Sequence, residues 1–354
     1  MIRTTDERHK RIIAIWLLIG VFMIILQILL GGITRLTGSG LSITEWAPIM
    51  GTIPPLNHED WLVVFDKYQQ TPQYQHLNSS ITLSEFKIIF FWEWFHRVWA
   101  RALGVVFLIP FIFFLVKKWF TKEMIRPMII LFLLGAAQGL IGWIMVASGL
   151  TDDNVSVDHY KLAVHFISAL VLLCYTLWFA LTLIFSENQK TYAPKLRRYT
   201  VFVLVILTIQ LFYGAFAAGL HAALAASTWP GVNGQFFPTL YFGDDAWWYA
   251  VTSNRINIQW IHRGLAYFLT ILLVIWWWKS KKTKESLPLA RWAFIPIILV
   301  LVQITLGILT VLNSTSKIPV TWAVLHQFNG MLLLMSIFIG YFFLAKKSPE
   351  VVVK

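Results

Sequence analysis

The sequence predicts an all-α polytopic membrane protein: eight transmembrane helices forming two parallel four-helix-bundle repeats, with both termini in the cytoplasm. Three observations predict it. Of 354 residues, 58% are hydrophobic and only 13% are charged, where a soluble domain carries about a quarter. The apolar residues gather in runs near the length that spans a bilayer core. Lys and Arg gather in short loops between alternate runs, which is the positive-inside pattern. The net charge of +12 therefore belongs to one membrane face rather than to a groove for nucleic acid.

The segment Met1 to Arg11 is short and polar and includes Asp6 and Glu7. It resembles neither a cleavable signal peptide nor an Arg/Ser-rich transit peptide, so a bacterial inner (plasma) membrane is expected. Spans are expected at 12–32, 86–116, 127–148, 160–184, 199–220, 257–278, 292–312 and 321–344. Arg3, Arg8, Lys10 and Arg11 precede the first, and Lys117, Lys118, Lys122 and Arg126 separate the second and third. Lys190, Lys195, Arg197 and Arg198 separate the fourth and fifth. Lys279, Lys281, Lys282, Lys284 and Arg291 separate the sixth and seventh, and Lys346 and Lys347 follow the eighth. These groups share one side only if both termini are cytoplasmic.

The outer side then carries two long loops, about 33–85 and 221–256. The first contains Trp46, Trp61, Phe65, Tyr68 and Tyr74, and its segment 58–70 predicts an amphipathic helix lying at the interface. Thr82-Leu83-Ser84-Glu85 has the form of a capping box opening the second span. Loops this long fit lids better than connectors. The single cysteine, Cys174, lies in an apolar run and can form neither a disulfide nor a cysteine metal site within the chain.

The chain reads as an internal duplication, with halves at 1–190 and 191–354. A Gln-x-x-x-Gly motif stands in each odd-numbered span, at Gln27/Gly31, Gln138/Gly142, Gln210/Gly214 and Gln303/Gly307. A histidine stands near the outer end of each even-numbered span: His96, His165, His262 and His326. Four spans per half restore the starting side, so the repeats are parallel. The motif is read either as close helix packing, with glutamines bonding across helices, or as small residues clearing space for a flat macrocycle.

A lone intramembrane histidine is more often a packing residue than a ligand. Four at equivalent positions and one depth suit two bis-imidazole iron porphyrin sites, His96 with His165 and His262 with His326. Zinc or copper fits less well, because each half offers two imidazoles and the first adds only Glu93. His9, His58, His76, His159 and His221 lie in loops or at span ends. Arg97 and Arg263 each follow a histidine directly, so both are read as partners of haem propionates rather than as helix ends reaching lipid phosphate. Arg101 lies one turn further in and calls for an anion, a propionate or Glu93; Arg35 and Lys161 are weaker outer-side candidates.

The copies differ at one position. Glu93 precedes His96 by three residues, and Gln259 stands at the matching place before His262. A closed bis-histidine iron suits one-electron transfer, whereas oxidation of a bound substrate needs a group that moves protons. Glu93 can serve and Gln259 cannot. Two other readings compete. A di-haem electron-transfer subunit, such as a quinol-linked cytochrome b, requires like halves. A transporter with parallel repeats accounts for the topology but not for four histidines in one leaflet.

These residues resemble the haem A synthase family, in its proteobacterial and mitochondrial branch. Gly31-Gly32-Ile33-Thr34-Arg35-Leu36-Thr37-Gly38-Ser39-Gly40-Leu41-Ser42 looks like the signature after the first span, and Glu93-Trp94-Phe95-His96-Arg97 like the Glu-x-x-His-Arg motif. Ala226-Ser227-Thr228-Trp229-Pro230 and Gln259-Trp260-Ile261-His262-Arg263 match the second half. The outer-loop cysteine pair of other branches is missing, which excludes a thiol relay there. The resemblance implies oxidation of a methyl group on haem O to the formyl group of haem A, for cytochrome c oxidase. It implies a permanent haem b on His262 and His326, with haem O received near His96 and His165 and Glu93 required for activity. The implied partners are the enzyme that makes haem O and an electron donor. The sequence identifies no donor and leaves both a monomer and a homo-oligomer open.

Overall fold

The computed structural model describes residues 7–45, 50–151, 153–240, 246–283 and 287–345. Arg3, Trp46, Lys284, Lys346 and Lys347, used above, lie outside the described residues. Among those described there are eight helices long and apolar enough to cross a membrane. They are α1 (Glu7–Leu36), α3 (Leu83–Val116), α4 (Lys122–Ala147), α5 (His159–Ile184), α6 (Pro194–Gly219), α8 (Arg255–Lys281), α10 (Ile295–Leu312) and α11 (Val320–Phe342). The shorter α2 (His58–Gln69), α7 (Trp247–Ser253) and α9 (Leu287–Trp292) lie in the connections. Each long helix falls on one expected span and most extend it by a polar turn at the start, whereas α10 begins at Ile295, inside the expected 292–312, because Leu287–Trp292 forms the separate α9.

Local chemistry sets the starts. Thr82 and Glu85 form the expected capping box of α3, which satisfies two otherwise orphan N–H donors. Asn254 accepts from Ile256 and Asn257 N–H at 3.0 and 3.1 Å and starts α8. Asn57 accepts from Asp60 N–H at 2.8 Å and starts α2. α6 begins with Pro194, whose missing N–H costs nothing in a first turn.

By Cα proximity the chain divides into two compact units. One is built around Trp16–Leu173 and the other runs from Cys174 onward together with Lys10–Ile15. In the first, the Trp16 indole donates to the Val106 carbonyl at 2.8 Å and the Trp99 indole to the Met23 carbonyl at 2.9 Å, tying α1 to α3 at two heights. In the second, α6 packs on α8 and α10 on α11. There the buried Trp276 indole donates to Thr200 Oγ1 at 2.8 Å. Gly340 makes room for that ring, since a Cβ would stand 2.9 Å from it. Large apolar side chains such as Ile109, Val116, Phe22 and Ile271 are more than half exposed, as lipid-facing positions require.

The expected helix at 58–70 forms, but it packs on protein. Tyr68 of α2 and Phe86 and Phe90 of α3 build a buried aromatic cluster, with Trp61 and Phe65 against it. Trp61 meets Phe90 edge-on at 5.0 Å between centroids. The Tyr68 hydroxyl donates to Gln73 Oε1 at 3.0 Å and accepts from Asn78 Nδ2 at 2.7 Å. Gln73 Nε2 then donates to the Gly38 carbonyl at 3.2 Å. Burial pushes the Tyr68 phenol above its ordinary pKa. The long first connection is therefore an organised cap over the start of α3.

Candidate functional site

Each Gln-x-x-x-Gly motif places a side-chain amide and a gap one turn apart on the same helix face. In all four cases a neighbouring helix fills that gap with an imidazole. Gln27 Nε2 of α1 lies 3.2 Å from both ring nitrogens of His96 on α3. Gln138 Nε2 of α4 lies 3.2 Å from His165 Nδ1 on α5. Gln210 Nε2 of α6 lies 3.5 Å from His262 Nε2 on α8, and Gln303 Nε2 of α10 lies 3.2 Å from His326 Nε2 on α11. A Cβ on Gly31, Gly142, Gly214 or Gly307 would stand 3.1, 2.8, 3.3 or 3.0 Å from Cε1 of the same histidine. The glutamines thus bond across helices, and each glycine makes room for the imidazole that its glutamine touches.

His262 and His326 face each other with ring centroids 6.4 Å apart and planes at 70°. Two trans imidazoles on one metal, with bonds of about 2 Å and roughly 1.1 Å from nitrogen to ring centre, would sit roughly 6.3 Å apart. The observed separation is close to that value. His326 Nδ1 lies 3.1 Å from the Gln303 carbonyl, which fixes the proton on Nδ1 and leaves the Nε2 lone pair to accept from Gln303 Nε2 at 3.2 Å. His262 Nδ1 is buried without a hydrogen-bond partner.

Glu93 is 3% exposed and saturated with donors. Arg97 Nη2 donates to Oε1 at 2.5 Å, while Ser42 Oγ at 2.7 Å and the Ile43 N–H at 2.9 Å donate to Oε2. Arg97 also donates to the Ile43 and Glu45 carbonyls. The arginine expected at a propionate is thus held by Glu93 and by the loop after α1. The second copy repeats the clasp with its polarity changed. Gln259 Oε1 accepts from Arg263 Nη2, and Gln259 Nε2 donates to the Ala222 and Ala226 carbonyls at 2.5 and 3.2 Å. Arg263 Nη1 reaches the Gly231 carbonyl at 3.0 Å. A carboxylate accepts from its loop; an amide must donate to its loop, and each loop presents the matching group.

Arg101 reaches the Gly51 carbonyl at 3.4 Å. Arg35 sits in the last turn of α1, and Lys161 is exposed in the first turn of α5. Sequence reasoning missed three contributors. Ser42 closes the glycine-rich stretch quoted above but is 51 residues from Glu93. Ser168 and Asn329 each stand three residues after a histidine, a spacing that could have marked them. Their hydroxyl and amide bond Gln138 Oε1 at 2.6 Å and Gln303 Oε1 at 2.7 Å.

A family described as cytochrome oxidase assembly protein, COX15-CtaA, matches residues 14–338. The heme A synthase of Flavobacterium psychrophilum is 41% identical over 331 residues, covering 92% of this chain and 96% of that protein. The heme A synthase of Nitrosomonas eutropha is 40% identical over 325 residues, covering 91% and 90%. That of Bartonella tribocorum is 37% identical over 335 residues, covering 94% and 92%.

Proposed function

The chain belongs to the cytochrome oxidase assembly family COX15-CtaA, and from that premise we propose that it is a multi-pass inner-membrane oxidoreductase converting haem O to haem A. Both termini lie in the cytoplasm in this reading, and 1–190 and 191–354 act as two parallel halves. The observation that carries it is the imidazole pair His262–His326, spaced for one iron and steadied by Gln210 and Gln303.

His262 and His326 would hold a permanent haem b, with Arg263 near its propionates. Such a haem, when bound, supplies one-electron transfer. His96 and His165 receive haem O as substrate, with Arg97 and Arg101 toward the propionate side. Glu93 handles the proton, at Oε2, to which the Ser42 hydroxyl is hydrogen-bonded. Arg97 orients the carboxylate through Oε1 and keeps the loop after α1 closed on it. Gln259 occupies the same place in the second half and carries no exchangeable acid, which suits a site that only holds its cofactor.

A di-haem electron-transfer subunit would need like halves, and the exchange of Glu93 for Gln259, each with a matched loop, argues against it. The test is pigment extraction from membranes with and without the protein, with the haems identified by mass. Haem A present only with the protein is the expected result. Haem b alone, with no modified haem even when haem O is supplied, would overturn the reading in favour of electron transfer.

A further inference from the structure

The two halves present equivalent imidazoles but differ in the side chains that stand next to them. Met124, Met128 and Leu131 of α4 are buried. Their alternating spacing of four and three residues continues through Gly135, Gln138 and Gly142, which marks one inward face. Gln138 and Gly142 on that face meet His165. Gly135 stands between Leu131 and Gln138 in the same stripe, yet a Cβ there would meet nothing within 4 Å. Its counterpart on α10 is Val300, which is 3% exposed. Gly139, next to Gln138, also faces open space, and its counterpart is the half-buried Ile304.

The helix that carries the first histidine of each half repeats the contrast. Ala100 and Gly104 follow His96 at successive intervals of four, along one side of α3. A Cβ on Gly104 would meet nothing within 4 Å. Ala266 and Thr270 follow His262 at the same intervals, and the Thr270 hydroxyl donates to the Ala266 carbonyl at 2.8 Å. Gly104 lies about 12 Å further along α3 than His96. Gly135 lies one turn from Gln138 in the same direction, toward the connection of α3 to α4 and away from the capped start of α3. An unfilled space in a packed bundle forfeits contacts, and the second half shows that this fold can fill it.

Haem O differs from haem b at one edge of the ring, where a hydroxylated farnesyl chain replaces a vinyl group. That edge is the one away from the propionates. With the propionates on the outer side, near Arg97, the chain would run along the open glycine positions. We propose that Gly104, Gly135 and Gly139 decide which porphyrin the first half accepts, by leaving a slot for the isoprenoid chain of haem O. Thr270, Val300 and Ile304 close that slot in the second half, which takes haem b. The proposal rests on the reading that His96 and His165 receive haem O while His262 and His326 hold haem b. The halves then sort the two porphyrins by volume.

The test titrates purified protein, carrying its resident haem b, with haem O and separately with more haem b, followed by absorption. Haem O should bind the wild-type first half more tightly than haem b. Gly135→Val, which installs the second half's residue, should weaken haem O about ten-fold or more, as expected when about two methylene groups stay unburied. It should leave the affinity for added haem b nearly unchanged. In a His96→Ala, His165→Ala background, Thr270→Gly with Val300→Gly should let the second half take up haem O, identified by mass in the extracted pigment. Equal wild-type affinities, haem O binding unmoved by Gly135→Val, both haems weakened alike, or haem b alone in the reciprocal protein would overturn the proposal. Should Gly135→Val lose its resident haem b, the reciprocal protein alone decides. A wild-type first half that takes up neither porphyrin would instead overturn the reading beneath.

Discussion

Glu93 and Arg97 form an ion pair at 2.5 Å, one helical turn apart on α3. Through it the carboxylate and the guanidinium together clasp the loop after α1. The pair therefore links the acid one turn before His96 to the loop that covers it, and both contacts pass through one carboxylate.

Substituting Glu93→Gln separates them. The amide keeps an oxygen for Arg97 but turns a donor toward the Ser42 hydroxyl and the Ile43 N–H, a mismatch that Gln259 avoids by facing carbonyls. Haem b is expected to remain while haem A disappears, as measured by extracted haems. Normal haem A from that variant would remove Glu93 from the chemistry. Glu93→Ala also leaves Arg97 without its anion and should cost about 3 kcal/mol, the low end for a broken buried pair, because the Arg97 side chain is 18% exposed. A lowered melting temperature of the detergent-solubilised protein reads this out.

The glycines predict a graded series. Alanine at Gly142 would put Cβ 2.8 Å from the His165 ring, a contact that forces the imidazole to move, whereas at Gly214 the distance to His262 is 3.3 Å. Gly142→Ala should abolish haem A formation, Gly307→Ala at 3.0 Å should reduce bound haem b, and Gly214→Ala should leave it nearly intact. Haem content per protein, measured across the three variants, checks the order.

The outer cap has an alkaline limit. Burial raises the Tyr68 pKa above 10, so the neutral phenol is the form that the folded cap prefers. Its contribution is complete below the unfolded value of about 10 and declines as pH rises toward the folded value. Limited proteolysis of segment 58–78 should accelerate above about pH 10 in the wild type. Tyr68→Phe should be cut faster at neutral pH, since Asn78 and Gln73 lose their shared partner, with a smaller alkaline increase.

The membrane orientation is checked by labelling. In a Cys174→Ser background, a membrane-impermeant thiol reagent added outside intact cells should modify Asn57→Cys and leave Lys282→Cys untouched. The reverse would invert the topology.

Much of the site was legible because it is written twice. The four histidines, the four Gln-x-x-x-Gly motifs and the Glu93/Gln259 difference were readable from spacing alone. The partners of those residues were not. Ser42 and the Ile43 N–H reach Glu93 across some fifty residues of chain, and nothing in an apolar run marks such a contact. The glycines could be read as serving a backbone or a macrocycle, and the space each one leaves is taken by the imidazole of a neighbouring helix.

The sequence by itself determined the number and extent of the spans. A bilayer fixes helix length, and lipid obliges each segment to satisfy its own backbone, so local composition is sufficient. The tertiary structure alone decided which polar atom meets which. Arg97 went to Glu93, Gln27 and Gln210 kept a free oxygen, and Gln138 and Gln303 were locked by Ser168 and Asn329. Those outcomes depend on how far each helix is rotated and how deep it sits, to within the length of a hydrogen bond. An apolar stripe, which lipid and protein neighbours satisfy equally well, does not encode that.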